Sequence, residues 1–139
     1  MFLMKDLNVT ESSTHTRPST LEDYNTRFAG MTTEESQEIG RAFQPKPTDV
    51  FITPYSKSGT TWLQQIVHCL RSRGDMDFDD ISRVVPWLEV SHDLGIDVNA
   101  PQPWQPRAFK SHANWHDIPK GGRYIVSIRD PKDLSLIHI

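Results

Sequence analysis

Apolar positions are spread unevenly along the chain, and their spacing divides it into parts. Residues Asn8 to Thr20 are rich in Ser and Thr with almost no apolar content, which predicts a mobile tail over residues 1–30. Thr33-Glu34-Glu35-Ser36 opens a short helix reaching Phe43, with acid in its first turn, and Pro45 and Pro47 stop it. Asp49 to Thr53 is short and apolar, as a buried parallel strand tends to be. From Thr60 to Arg73 the apolar residues Trp62, Leu63, Ile66, Val67 and Leu70 recur at helical spacing, and Gly74 suits the stop. Short helical pieces are expected at Asp79 to Val84 and at Trp87 to Leu94. Pro101, Pro103 and Pro106 mark a loop. Two more strands follow, Arg107 to Lys110 and, after the Gly121-Gly122 turn, Arg123 to Ile128.

Strands alternating with helices imply an α/β unit with a parallel sheet. In such sheets ligands gather at the C-terminal ends of the strands. Lys57, His112 and Arg129 each follow a predicted strand, so all three are expected to converge there.

Composition narrows the classes. With 139 residues there is room for one modest domain, and a net charge of -3 supplies no basic field for nucleic acid. The longest apolar runs fall far short of a membrane span. Met1-Phe2-Leu3-Met4-Lys5-Asp6 lacks the basic flank and apolar stretch of a signal peptide. Cys69 is the only cysteine, and its place on the apolar side of a helix predicts a buried thiol. A reducing, cytoplasmic setting fits these features. Asp75, Asp77 and Asp79 alternate like a calcium loop, but Asp80 and Pro86 stand where glycine and glutamate are required. That run reads as a solvated turn, and no His/Cys set has zinc spacing, so no metal is expected.

The segment from Val50 to Trp62 carries the chemistry. A β-branched run stops at a Pro-containing turn, and Lys57-Ser58-Gly59-Thr60-Thr61-Trp62 leads into a helix. A loop of this composition exposes backbone N–H groups while the helix turns its positive end toward an anion. A Walker A loop would need glycines at the positions of Phe51 and Ser56, so the nucleoside triphosphate reading lacks its glycines. Two further segments follow in order: Phe109-Lys110-Ser111-His112 and Tyr124-Ile125-Val126-Ser127-Ile128-Arg129-Asp130-Pro131-Lys132-Asp133.

Together the three segments resemble the cytosolic-type sulfotransferases, over about Asp49 to Asp133. That family moves a sulfuryl group from 3′-phosphoadenosine-5′-phosphosulfate (PAPS) to a hydroxyl or amine of a small acceptor. The resemblance implies a P-loop-like three-layer α/β fold with a parallel sheet, PAPS as co-substrate, and no catalytic metal. It implies that Lys57, Ser58, Gly59, Thr60 and Thr61 wrap the 5′-phosphate, that Trp62 stacks on adenine, and that Arg129 grips the 3′-phosphate. Lys57 and Lys110 would stabilise the transferred group. His112 would be the base, a role suited to a side chain whose ordinary pKa is about 6.5. Each residue also has a plainer reading. Lys57 and Lys110 could be solvated, Thr60 a helix cap, Trp62 a packing residue and Arg129 a partner for Asp130 or Asp133. His116 is a weaker rival base in a loop. Phe78, Trp87, Leu88 and Trp104 are candidates for the acceptor wall, with core packing the commoner role.

The chain departs from the family at three places. Pro54-Tyr55-Ser56 stands where the family has Tyr-Pro before the lysine, and Ile137 stands where it has a phosphate-binding serine. The chain also stops at Ile139, soon after the third segment, so the fold is expected to be incomplete at its C-terminus, residues 134–139 to be a non-native end, and the fragment to be a poor enzyme. A P-loop nucleotide kinase and a non-catalytic nucleotide-binding fragment are the competing readings. Nothing in the residues names the acceptor or the oligomeric state.

Overall fold

Three short parallel strands organise the chain: β1 (Val50–Ile52), β2 (Ala108–Lys110) and β3 (Arg123–Ile125), in the order β2-β1-β3. The computed structural model describes Thr20 and residues 32–133. Apart from Thr20, the expected N-terminal tail lies outside the described residues, as does the closing segment 134–139. Residues 32–133 fall within one compact unit. Val50 faces Ala108 and Arg123, Phe51 faces Phe109 and Tyr124, and Ile52 faces Lys110 and Ile125.

Successive side chains of a strand point to opposite faces, so this register produces two cores. Phe51, Phe109 and Tyr124 join Phe43, Leu88, Val98 and Ile118 on one face. There Phe51 stacks between Phe109 and Tyr124, with ring centroids 5.6 and 5.4 Å away. Val50, Ile52 and Ala108 meet Leu63, Val67, Val85, Ile81 and Val84 on the other. The two faces carry different helices, which gives the three-layer α/β arrangement expected from the sequence.

Helix α1 (Glu34–Ala42) starts at Thr33, whose hydroxyl accepts the Ser36 N–H at 3.1 Å. Asp93 takes the Thr33 hydroxyl at 2.6 Å and the Thr33 N–H at 2.8 Å, tying this helix start to the turns after Leu88. Gly40 is required by closeness: a Cβ there would lie 2.8 Å from the Leu88 carbonyl oxygen.

Helix α2 (Thr60–Ser72) stops where expected, with Arg73 and Gly74 both left-handed and the Gly74 N–H on the Cys69 carbonyl. Its buried side differs from the expectation. Thr60, Gln64 and His68 are buried, whereas Trp62 and Leu70 are each 77% exposed and Ile66 is exposed as well. Hydrogen bonding accounts for the inversion. Gln64 donates to the Val85 carbonyl at 3.2 Å, and Arg71 donates to Gln102, to the Pro106 carbonyl and to the Val84 carbonyl. His68 meets the Asp75 carbonyl at 3.1 Å, edge-on to Phe78 and Trp104. Hydrogen bonds to loop carbonyls offset much of the cost of burying polar side chains, although His68 Nδ1 and Arg71 Nε are buried with no partner among the described residues. Only Leu63 and Val67, beside this row, pack on the sheet. Cys69 is half-buried, not buried, and shares contacts with Gln65 and Met76. Nearby, the Asp77 N–H donates to the Asp75 carboxylate at 3.0 Å.

Two other expectations change. Helix α3 (Ile81–Val84) forms behind an Asp80 cap, but Trp87 to Leu94 is not helical. The sheet edge claims that segment: the Lys110 N–H donates to the Pro86 carbonyl at 2.8 Å, and the Leu88 N–H donates to the Lys110 carbonyl at 3.0 Å. Strand β3 ends at Ile125 instead of Ile128, because the ladder stops where β1 stops, and Ile128 is 96% exposed. No helix among the described residues is long and apolar enough to cross a membrane.

Candidate functional site

The three sequence segments meet at the C-terminal ends of the strands. Beyond Ile52 the chain enters a loop held by the Thr53 N–H on the Ile125 carbonyl and by the Ser58 N–H on the Tyr55 carbonyl. Lys57 has φ 64 and Gly59 has φ 90, both left-handed. Left-handed residues are a component of the backbone nests that bind anions, although the Ser58 amide between these two is already taken by the Tyr55 carbonyl. Gly59 is the N-cap of α2 and makes no side-chain cap. Thr60 is therefore the first helical residue and not the cap. The first amides of α2 have no partner inside the helix, because the earliest such bond is from the Leu63 N–H to the Gly59 carbonyl. Ser58 and Thr60 are buried, while Lys57, Thr61 and Trp62 face solvent. The exposure of Trp62 removes its role as a packing residue on the sheet.

The chain after β3 lies against this loop. The Ser127 hydroxyl donates to the Ser58 carbonyl, and Arg129 Nη1 donates to the Lys57 carbonyl at 3.3 Å. Arg129 also pairs loosely with Asp133, Nε to Oδ2 3.8 Å, with both side chains open to water.

The chain after β2 lies on the other side of the same loop. His112 Nδ1 is 3.1 Å from the Pro54 carbonyl oxygen. A carbonyl only accepts, so Nδ1 carries the proton and Nε2 keeps its lone pair. Burial lowers the His112 pKa, and Lys110 lowers it further, against the Pro54 bond and the charge of Glu89, which raise it. Burial also lowers the Lys110 pKa, with Glu89 and Asp80 opposing. Trp87 joins the two residues: Lys110 Nζ sits 3.7 Å from the indole centroid, and the His112 ring meets the indole edge-on at 5.4 Å.

A cavity of about 340 Å³ opens beside His112, lined by Gly40, Trp87, Val90, Ala113 and Pro119 among others. Of the aromatic candidates for such a wall, only Trp87 lines it. Leu88 is in the core, and Phe78 and Trp104 pack on His68. His116 is exposed in a turn. Sequence reasoning missed Glu89, which accepts the Ser111 hydroxyl and the Ala113 N–H at 3.1 Å. No motif marks it, and its only sequence clue is a carboxylate in an otherwise apolar stretch. Among the described residues no three His, Cys, Asp or Glu side chains gather as a metal site.

Comparison with known proteins supplies the family. A family model described as a sulfotransferase domain matches residues 47–136, more than half of the chain. The chain is 32% identical over 115 residues to 3-beta-hydroxysteroid sulfotransferase of Cavia porcellus, covering 77% of this chain and 39% of that protein. It is 38% identical over 106 residues to sulfotransferase 1B1 of Mus musculus, covering 68% and 35%. It is 30% identical over 137 residues to human sulfotransferase 4A1, covering 89% and 47%. The chain thus spans less than half the length of these relatives. The domain match, the parallel α/β core and the three convergent segments establish that the chain belongs to the sulfotransferase family.

Proposed function

We infer that these residues form the donor-binding and base-bearing half of a PAPS-dependent sulfotransferase acting on a hydroxyl or amine of a small molecule. The observation that carries the reading is the hydrogen bond from His112 Nδ1 to Pro54, which ties the base to the loop that precedes Lys57. Because the chain covers 35–47% of the relatives named above, turnover is assigned to these residues within a chain of the relatives' length, and donor binding to the residues themselves.

The donor fits the groups present. Its 5′-phosphate suits the amides opened by Lys57 and Gly59 and the hydroxyls of Ser58, Thr60 and Thr61. Its 3′-phosphate suits the guanidinium of Arg129, which favours bidentate contact. The exposed indole of Trp62 offers a face for adenine. The acceptor enters the cavity beside Trp87. Its O–H or N–H proton passes to His112 Nε2 as the acceptor atom bonds to sulfur. The bond from sulfur to the 5′-phosphate oxygen breaks, and the charge left on that oxygen is met by Lys57 and Lys110. No metal is required, and a cytoplasmic setting suits the single thiol.

Calorimetry on this chain with 3′,5′-adenosine bisphosphate and with ATP-magnesium tests the donor assignment. The bisphosphate is expected to bind more tightly, and preference for ATP-magnesium would overturn the reading. In a chain of the relatives' length, His112→Ala is expected to abolish transfer of labelled sulfate while leaving bisphosphate affinity within a few fold.

A further inference from the structure

Glu89 lies outside the three family segments, in the turns after Trp87, yet it touches both neighbours of His112. One oxygen, Oε1, accepts the Ser111 hydroxyl and the Ala113 N–H at 3.1 Å. The Ser111 hydroxyl oxygen accepts the same Ala113 N–H at 3.0 Å, which closes a small ring of contacts around the His112 peptide. The second oxygen, Oε2, is buried with no hydrogen-bond partner among the described residues. Glu89 is itself pinned, because its carbonyl accepts the Thr32 hydroxyl at 2.6 Å and the preceding residue is bonded to Lys110.

We propose that Glu89 is a positioning residue, which braces the Lys110–His112 segment through Ser111 and the Ala113 amide and keeps a negative charge beside both. The brace rests on the sulfotransferase reading for its purpose, though not for its geometry. Ser111 explains why one contact suffices. Its side chain is fully buried and its N–H donates to the Ile52 carbonyl, so the backbone there is already tied to β1. Anchoring its hydroxyl and the Ala113 amide leaves the His112 peptide little freedom, and a base held in place needs less ordering in the transition state. The partly unpaired carboxylate also supports the protonated imidazole that forms when the base takes a proton. The charged groups around His112 are Lys110 from β2 and Glu89 from the turns, with Arg41 of α1 and Asp117 on the same cavity. Of these, Glu89 is the one that also accepts hydrogen bonds from both neighbours of His112.

NMR of the 139-residue chain reads both effects without any turnover. Ring titration of His112, identified by its loss in His112→Ala, reports charge, and exchange of the Ala113 amide reports the brace. Glu89→Gln is expected to lower the His112 midpoint by at least about 0.3 pH unit, because it removes the charge that favours the imidazolium. Glu89→Asp keeps the charge but shortens the reach. It is expected to leave the midpoint nearly in place and to speed Ala113 exchange about fivefold or more. The titration of His68, buried elsewhere against Phe78 and Trp104, shows in each variant that the fold is retained. An unchanged or raised His112 midpoint in folded Glu89→Gln overturns the charge role, and unchanged Ala113 exchange in folded Glu89→Asp overturns the brace. Either failure with bisphosphate binding intact removes only Glu89. A chain that fails to bind the bisphosphate removes the donor-binding assignment and leaves these NMR results as they stand.

Discussion

The two ends of the small sheet are built on opposite plans. At the N-terminal ends of β1 and β2 the charges are matched. Asp49, fully buried, takes Arg107 Nε at 2.9 Å and Nη2 at 2.6 Å, and also the Lys46 N–H at 2.8 Å. The guanidinium lies 5.3 Å from the Phe43 and Phe109 ring centroids, so its faces are covered too. The Asp49 carbonyl accepts the Arg123 N–H at 2.8 Å, which carries the same anchor across to β3. At the C-terminal ends, Lys57, Lys110, His112 and Arg129 are held more loosely: the Arg129–Asp133 pair is 3.8 Å apart and open to water, and the start of α2 has no side-chain cap. A fold that satisfies its polar groups so fully at one end and leaves them open at the other separates stability from binding along the strand axis.

The sharpest way to break that division is at the matched end. Asp49→Ala strands the Arg107 guanidinium in the interior, and losing one partner of a buried pair costs about 3–5 kcal/mol. Urea unfolding is expected to show that loss. A change within about 0.5 kcal/mol, the range of an ordinary surface substitution, would mean that the pair does not hold the strands together. At the open end the same measurement is expected to stay quiet. Lys57→Ala and Arg129→Ala each weaken 3′,5′-adenosine bisphosphate binding by about 10- to 100-fold, the range of a charge-assisted hydrogen bond. Both are expected to leave the urea midpoint nearly unchanged. Unaltered affinity in both variants would place the donor elsewhere.

Acid gives the smallest and broadest effect. The His68 and His112 pKa values are both lowered from 6.5, in each case first by burial. The folded chain then holds these rings neutral where the unfolded chain would protonate them. Their contribution to stability is present above about pH 6.5 and is lost as pH falls through their lower folded values. The urea midpoint is expected to be lower at pH 5.5 than at pH 7.5, and His68→Gln is expected to narrow the gap. An equal or higher midpoint at pH 5.5 would contradict the burial argument.

What could be read from the sequence was local. The strands around Phe51, Phe109 and Tyr124 announce themselves as short apolar runs, and each is followed within five residues by a candidate residue: Lys57, His112 and Arg129. Extended backbone between Lys110 and His112 suggested a shared side, and both side chains do meet the Trp87 indole. What could not be read depended on distant partners. Trp87 looks helical by spacing but pairs with Lys110, which lies 23 residues later in the chain. The buried face of α2 was chosen by Gln64, His68 and Arg71 finding loop carbonyls, which apolar periodicity does not record. Glu89 belongs to no pattern, because its meaning comes only from where Ser111 and Ala113 sit.

Lys57 occupies backbone that an L residue adopts only with strain, since its φ is 64. That conformation disfavours a β-carbon by about 1 kcal/mol, and glycine would relieve it. Any procedure that ranks residues by how well they suit the bare fold will therefore prefer glycine at position 57 and delete the charge. The position is one where folding quality and electrostatic placement disagree, and such disagreements are a signature of residues kept for something other than the fold.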